Sequence, residues 1–171
     1  TAISWGLMIT VFAISHAAML MRFPVTEASI AGGTGLIMFM AILNQGNDVA
    51  QYVWGKLFGK HKIVPKVSPK KTWEGFIGGG ILTIILGLVI AFFTDKSYLV
   101  LGLLAMLTFL FGSVGDLIQS AFKRTVNIKD SSNLIPGHGG ILDRLDSFIF
   151  AVPILFVAFN FLFQSLSNFS L

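Results

Sequence analysis

Five apolar stretches, separated by polar linkers, constrain this chain more than any other feature. They cover residues 3–20, 28–43, 76–93, 98–118 and 148–163. A helix needs roughly 20 mainly apolar residues to cross the hydrocarbon core of a bilayer. Hydrophobic residues make up 54% of the 171 residues, which is more than one soluble domain of this length buries. The sequence therefore predicts an all-α, polytopic integral membrane protein with about five transmembrane helices.

The basic residues predict how these helices are oriented. Ten of the twelve Lys and Arg residues lie in two linkers, six in residues 44–75 and four in residues 119–147. Five spans place both linkers on one side of the membrane, and an excess of basic residues marks the cytoplasmic side. Helix orientation and contact with anionic headgroups would also explain these charges by themselves. The chain begins at Thr1 directly in an apolar stretch, so we expect it to be the C-terminal part of a longer protein.

Three carboxylates are expected at the polar ends of the last two helices. Asp116, Ser120 and Lys123 are spaced to share one helix face, and Asp143 and Asp146 are spaced to open the fifth helix. The chain has no cysteine, so oxygen ligands favour a hard cation, Mg²⁺ rather than Zn²⁺. An acid near the hydrocarbon must otherwise be paired or face a wet cavity. The basic residues that offer such pairing are Lys123, Arg124 and Arg144.

A glycine-rich loop, Pro136-Gly137-His138-Gly139-Gly140, precedes the fifth helix. Glycines let backbone amides approach a ligand closely, and a helix N-terminus favours phosphate. The cationic donors around this loop are Lys123, Arg124, Lys129 and Arg144. His138 is a candidate hydrogen-bond donor or proton relay. Cations, carboxylates for Mg²⁺ and a glycine-rich turn are together what phosphoryl or nucleotidyl transfer requires.

Residues 120–146 resemble the signature of the phosphatidate cytidylyltransferase (CDP-diglyceride synthase) family, which ends in H-G-G-Φ-x-D-R-Φ-D with Φ apolar. Every fixed position is matched, by Ser120, Lys123, Arg124, Lys129, Asp130, Pro136, His138, Gly139, Gly140, Asp143, Arg144 and Asp146. The resemblance implies that these polar residues form the catalytic site. Asp116 and Asp143 are the first choice for metal ligands, with Asp146 and Asp130 second.

The first linker carries a second resemblance to the same family. Its Ser-Pro-x-Lys-Thr-x-Glu-Gly element and the preceding D-x-x-A-Y-x-x-G-K element are matched except at Gln51, where the family usually has Ala. The substrate-binding candidates are Asp48, Tyr52, Lys56, Ser68, Lys70, Lys71, Thr72, Glu74, Gly139 and Gly140. Pro69 suits the first turn of a helix that residues 70–74 continue, in which Glu74 either accepts from Lys71 at i+3 or is solvated.

The resemblance implies that a single membrane-embedded catalytic domain, residues 1–171, transfers a cytidylyl group from CTP to phosphatidate. It also implies Mg²⁺, with a monovalent cation such as K⁺ beside it, and it allows a homodimer. We expect no nucleic-acid partner, a site facing the cytoplasm and, in a bacterium, the inner membrane. Two alternatives stay open, an ion-coupled transporter and a catalytically silent relative. A transporter predicts acids throughout the membrane depth, whereas seven of the eight acids fall in the predicted linkers.

Overall fold

Five α-helices and one β-hairpin make up the described part of the computed structural model. It describes residues 2–22, 32–65, 67–94, 97–125 and 146–169, with side chains described for 11–22, 34–65, 67–94, 97–125 and 147–161. The elements in order are α1 (Ala2–Met21), α2 (Gly32–Phe58), β1 (Lys62–Val64), β2 (Ser68–Thr72), α3 (Trp73–Thr94), α4 (Tyr98–Thr125) and α5 (Asp146–Phe169). The predicted all-α class is confirmed, apart from the short hairpin.

Each predicted apolar stretch coincides with a helix, but the polar boundary of the second one was wrong. Helix α2 has 27 residues and continues to Phe58, whereas the sequence placed a linker from residue 44 onward. Asp48 therefore lies on a helix and not in a linker, which weakens the count of acids used against a transporter. Among the described residues, α3 and α4 are long and apolar enough to cross a membrane, and shorter apolar helical segments cover Val11–Met21 and Ser147–Phe161.

Helix α3 shows how a chain this apolar packs. Its buried residues are small or hydroxylated: Gly75, Gly78, Gly79, Gly80, Thr83, Gly87 and Ala91. Its large apolar side chains point outward, among them Ile81, Ile85 and Phe92. Membrane helices associate in this way because lipid solvates large apolar groups as well as the protein interior does, so small residues gain most from close backbone approach. The arrangement supports the prediction that lipid surrounds this helix.

Close approach of α3 to its neighbours depends on individual glycines. A Cβ at Gly79 would lie 2.4 Å from Gln51 Cγ of α2, and one at Gly80 would lie 2.6 Å from Phe109 Cζ of α4. Helix α3 is thus wedged between α2 and α4. One apolar core joins all five helices, and includes the fully buried Leu43, Ala91, Leu101 and Ala151.

The hairpin corrects the prediction that a helix begins at Pro69. Strands β1 and β2 pair in antiparallel fashion, with Lys62 opposite Thr72 and Val64 opposite Ser68. Val67 N donates to Val64 O over 3.2 Å, which closes a turn with Pro65 at its second position. Pro69 is tolerated because a two-stranded sheet has only edge strands. Helix α3 starts four residues later than predicted, at Trp73.

Candidate functional site

An ion pair joins the hairpin to the polar end of α4. Lys71 Nζ, from β2, contacts Asp116 Oδ2 from α4, and the two side chains are only 19% and 25% exposed. Ser120 Oγ donates to the other carboxylate oxygen, Asp116 Oδ1, over 3.3 Å. The predicted helical face of Asp116 and Ser120 is therefore confirmed. The carboxylate is paired with a cation, which is the alternative to metal binding given above. The ion pair that the described residues show is with Lys71, which was not among the cations predicted for this role.

A second contact joins the same two elements at the end of α4. Lys123 and Arg124 lie in the last turn of this helix, where cations are favoured by the helix dipole. Arg124 Nε donates to Val67 O in the turn between the strands over 3.4 Å. The hairpin is thus held to α4 at its turn by Arg124 and on its second strand by Lys71. Residues from both predicted linkers meet here.

Glu74 and Thr72 fix the path of the chain around the hairpin. The predicted bond from Lys71 to Glu74 does not form, because Lys71 lies in a strand and its side chain contacts Asp116 of α4 instead. The Glu74 carboxylate instead accepts from Lys60 N (3.1 Å), His61 N (3.2 Å) and His61 Nδ1 (2.7 Å). Thr72 Oγ1 accepts from Gly75 N over 3.2 Å and so caps the N-terminus of α3. These bonds tie the end of α2, the hairpin and the start of α3 together.

A buried polar cluster, Asn47, Gln51, Thr83 and Ser113, lies beside Asp116 and was not predicted. Gln51 Nε2 donates to Ser113 Oγ (2.8 Å) and to Asn47 Oδ1 (3.0 Å). Thr83 Oγ1 also donates to Asn47 Oδ1, over 3.3 Å. The cluster links α2, α3 and α4 one helical turn before the carboxylate. The sequence signal was Gln51 itself, a polar residue at a position where the resembled family usually has Ala.

The remaining predicted residues fall into two groups. Asp48, Tyr52 and Lys56 lie at i, i+4 and i+8 on an exposed face of α2, beside the face that carries Asn47. On β2, Lys70 is exposed and Ser68 is partly buried. The predicted residues outside the described part of the chain are Lys129, Asp130, His138, Gly139, Gly140, Asp143 and Arg144. Asp146 opens α5, as predicted, and its side chain is not among those described. The functional roles of all these residues stay predictions.

The described residues do not by themselves form a metal site. Among them, no three His, Asp or Glu side chains cluster closely enough to hold a metal ion. Asp116 and the neighbouring Ser120 hydroxyl nevertheless offer the hard oxygen donors that Mg²⁺ prefers. A cationic group, the Lys71 ammonium, already occupies one side of this carboxylate. The donor set fits Mg²⁺ and needs further ligands from elsewhere in the chain.

Apolar helices with small residues inside, and a partly buried carboxylate paired with a hairpin lysine, define a helical membrane protein with a charged site at the end of α4. The chain belongs to the cytidylyltransferase family, whose sequence model matches residues 1–162. This membership confirms the family expected from the signature at residues 120–146.

Individual relatives are closely similar. "Uncharacterized protein YnbB" of Escherichia coli is 48% identical over 157 residues, which cover 91% of this chain and 52% of that protein. "Phosphatidate cytidylyltransferase" of Staphylococcus haemolyticus is 44% identical over 130 residues, 75% of this chain and 50% of the relative. The Staphylococcus saprophyticus protein of the same name is 46% identical over 126 residues, 72% of this chain and 48% of the relative. The chain thus spans about half the length of the curated relatives it matches.

Proposed function

We propose that this chain is the catalytic part of a phosphatidate cytidylyltransferase, which makes CDP-diacylglycerol and pyrophosphate from CTP and phosphatidate in phospholipid biosynthesis. Family membership and relatives bearing that name support the proposal. The observation that carries it is the contact between Lys71 and Asp116. It joins a candidate nucleotide-binding element to a candidate metal ligand. Arg124 of the signature also contacts Val67 in the same hairpin, which supports the proposal that both family motifs contribute to one site.

The reaction does not require a covalent intermediate with the protein. An anionic phosphate oxygen of phosphatidate attacks the α-phosphorus of CTP, and the bond from that phosphorus to the bridging oxygen breaks, releasing pyrophosphate. Because the attacking oxygen is already anionic, no Ser or Cys nucleophile is needed. The protein must instead hold two anions together and offset their charge. Lys70 and Lys71 on β2, and Lys123 and Arg124 on α4, supply cations from both sides of the hairpin contact.

Asp116 would hold Mg²⁺ together with Asp143 and Asp146, two acids of the signature. When bound, Mg²⁺ would offset charge on the phosphates and orient them. Asp130 is an alternative metal ligand. His138, Lys129 and Arg144 of the signature would contact phosphate. A monovalent cation such as K⁺ beside the divalent ion belongs to the same proposal.

The bilayer would hold both the enzyme and one substrate. Five spans would place the hairpin and the end of α4 on the cytoplasmic side, in the inner membrane of a bacterium. Phosphatidate would keep its acyl chains in the lipid while CTP arrives from water. A homodimer is compatible with the exposed apolar faces of the helices.

The full-length protein in phosphatidate-containing vesicles tests the proposal. Pyrophosphate release from CTP is expected only when phosphatidate and Mg²⁺ are both present. Asp116→Asn should lower turnover at least about a hundredfold, because it removes a charged ligand without changing the shape of the side chain. Asp95→Asn, in the linker predicted on the opposite side, is the matched control and should keep turnover.

Three results would contradict specific parts of the proposal. Wild-type turnover in Asp116→Asn would remove Asp116 from the metal site. Intact folding without any pyrophosphate release would favour the catalytically silent relative, and cation flux across the vesicles without release would favour the transporter.

A further inference from the structure

We infer that Lys71 is an exchangeable counter-ion of Asp116: it neutralises the carboxylate while no divalent cation is bound, and it leaves when one binds. The inference rests on the proposed function, since it takes Asp116 as a metal ligand. It goes further by giving Lys71 two positions, one on the carboxylate and one on the nucleotide phosphates.

The position of Asp116 makes a counter-ion necessary. Its side chain is only one quarter exposed and lies one turn beyond the buried Ser113. A carboxylate at the end of an apolar helix is costly unless it is paired or metal-bound. Lys71 Nζ supplies that charge on Oδ2, and the Ser120 hydroxyl satisfies Oδ1. Both carboxylate oxygens of Asp116 are therefore engaged by side chains of this protein.

The position of Lys71 makes exchange feasible. It projects from β2 of a two-stranded hairpin, not from a helix packed in the core, and its stem is flexible enough to move the ammonium without moving the strand. The hairpin keeps a second attachment to α4 through Arg124, so releasing Lys71 does not detach it. Glu74 holds the base of the hairpin at Lys60 and His61. The backbone is thus fixed while one side chain is free to move.

Exchange would couple the cation to the nucleotide. Lys71 and the divalent ion compete for the same carboxylate, so binding of the cation frees an ammonium beside the exposed Lys70. That ammonium can then contact phosphate. By linkage, any ligand that draws Lys71 away must in turn tighten cation binding by the same factor. A nucleotide and a divalent cation would therefore favour each other beyond their direct contact.

Binding of Mn²⁺ alone to the full-length protein in nanodiscs, followed by electron paramagnetic resonance of the free ion, tests the inference without turnover. Lys71→Met should tighten Mn²⁺ binding about tenfold, which corresponds to about 1.4 kcal/mol. Lys62→Met removes one positive charge from the same hairpin at an exposed position and should change the affinity less than about twofold. Asp116→Asn should abolish this binding.

The outcomes separate the inference from the proposed function. Unchanged or weaker Mn²⁺ binding in Lys71→Met, with binding still lost in Asp116→Asn, overturns the exchange and leaves the metal site intact. Equal binding in Asp116→Asn and wild type overturns the metal assignment and the exchange together.

Amine labelling of the wild-type protein provides a measurement independent of any variant. Mass spectrometry should show that Lys71 reacts faster when Mg²⁺ is added, while exposed Lys62 reacts at the same rate. A Lys71 rate that Mg²⁺ leaves unchanged or lowers would show that the pair persists with the cation present, and would overturn the inference.

Discussion

Two asparagines on α2, one turn apart, should respond oppositely to the same truncation. Asn44 is 1% exposed and Asn47 is 0% exposed. Asn47 makes three hydrogen bonds, to Gln51, Thr83 and Ser113. In the described part of the structure, neither the side-chain nitrogen nor the side-chain oxygen of Asn44 has a hydrogen-bond partner. Truncation of each residue to Ala removes the same carboxamide from an equally buried place.

The expected magnitudes follow from what each truncation leaves behind. In Asn47→Ala, Gln51 keeps Ser113 as acceptor and Thr83 keeps Gly79 O, so no donor is orphaned. The loss is two bonds between membrane helices, to Thr83 and Ser113, at about 0.6 kcal/mol each, or about 1 kcal/mol. Asn44→Ala instead removes a buried carboxamide whose desolvation no hydrogen bond offsets, which should stabilise the protein by about 1–3 kcal/mol. The cavity term is similar in both variants, so Asn47→Ala should be less stable than Asn44→Ala by about 3 kcal/mol.

Reversible unfolding in mixed lipid and dodecyl sulfate micelles, followed by tryptophan fluorescence, measures this difference. The comparison of two variants cancels most of the uncertainty in the denatured state. A difference below about 0.5 kcal/mol, or a less stable Asn44→Ala, would refute the reasoning, because it would mean that the Asn44 carboxamide makes bonds as favourable as those of Asn47.

Two further predictions concern packing and capping. Gly79→Ala places a Cβ 2.4 Å from Gln51 Cγ and should destabilise the protein by about 1–3 kcal/mol in the same unfolding assay. In the control Gly102→Ala, the Cβ meets only a flexible leucine methyl at 3.2 Å, so this variant should be neutral or stabilising. Equal effects of the two substitutions would contradict the packing argument. Thr72→Ala should lower the free energy of unfolding by about 1 kcal/mol, because it removes the bond from Gly75 N. Thr72→Ser keeps the hydroxyl and should restore the stability in the same unfolding assay. If Thr72→Ser does not restore it, the loss comes from the missing methyl group and not from the cap.

The local pattern of the sequence was sufficient for the helices and for one face of the site. Hydropathy located a helix at each of the five apolar stretches, and among the described residues α3 and α4 are long and apolar enough to cross a bilayer. The spacing of Asp116 and Ser120 placed both on one face, since α-helical geometry is local. The start of α5 at Asp146 followed from the same kind of signal. The end of α2 was predicted wrongly because its polar half, from Asn44 onward, looks like a linker when its buried partners are unknown.

Only the tertiary structure decided which charges and polar groups meet. The strand at Ser68–Thr72 depends on pairing with β1, a contact that local propensity does not encode, and it directed Lys71 to Asp116 instead of Glu74. The packing of Gln51 likewise depends on Gly79 of α3, which is distant in sequence. The sequence by itself determined the membrane solvent, the helices and the family; the pairing of the site's charges was left to long-range packing, because an ion pair depends on distance in space and not on separation along the chain.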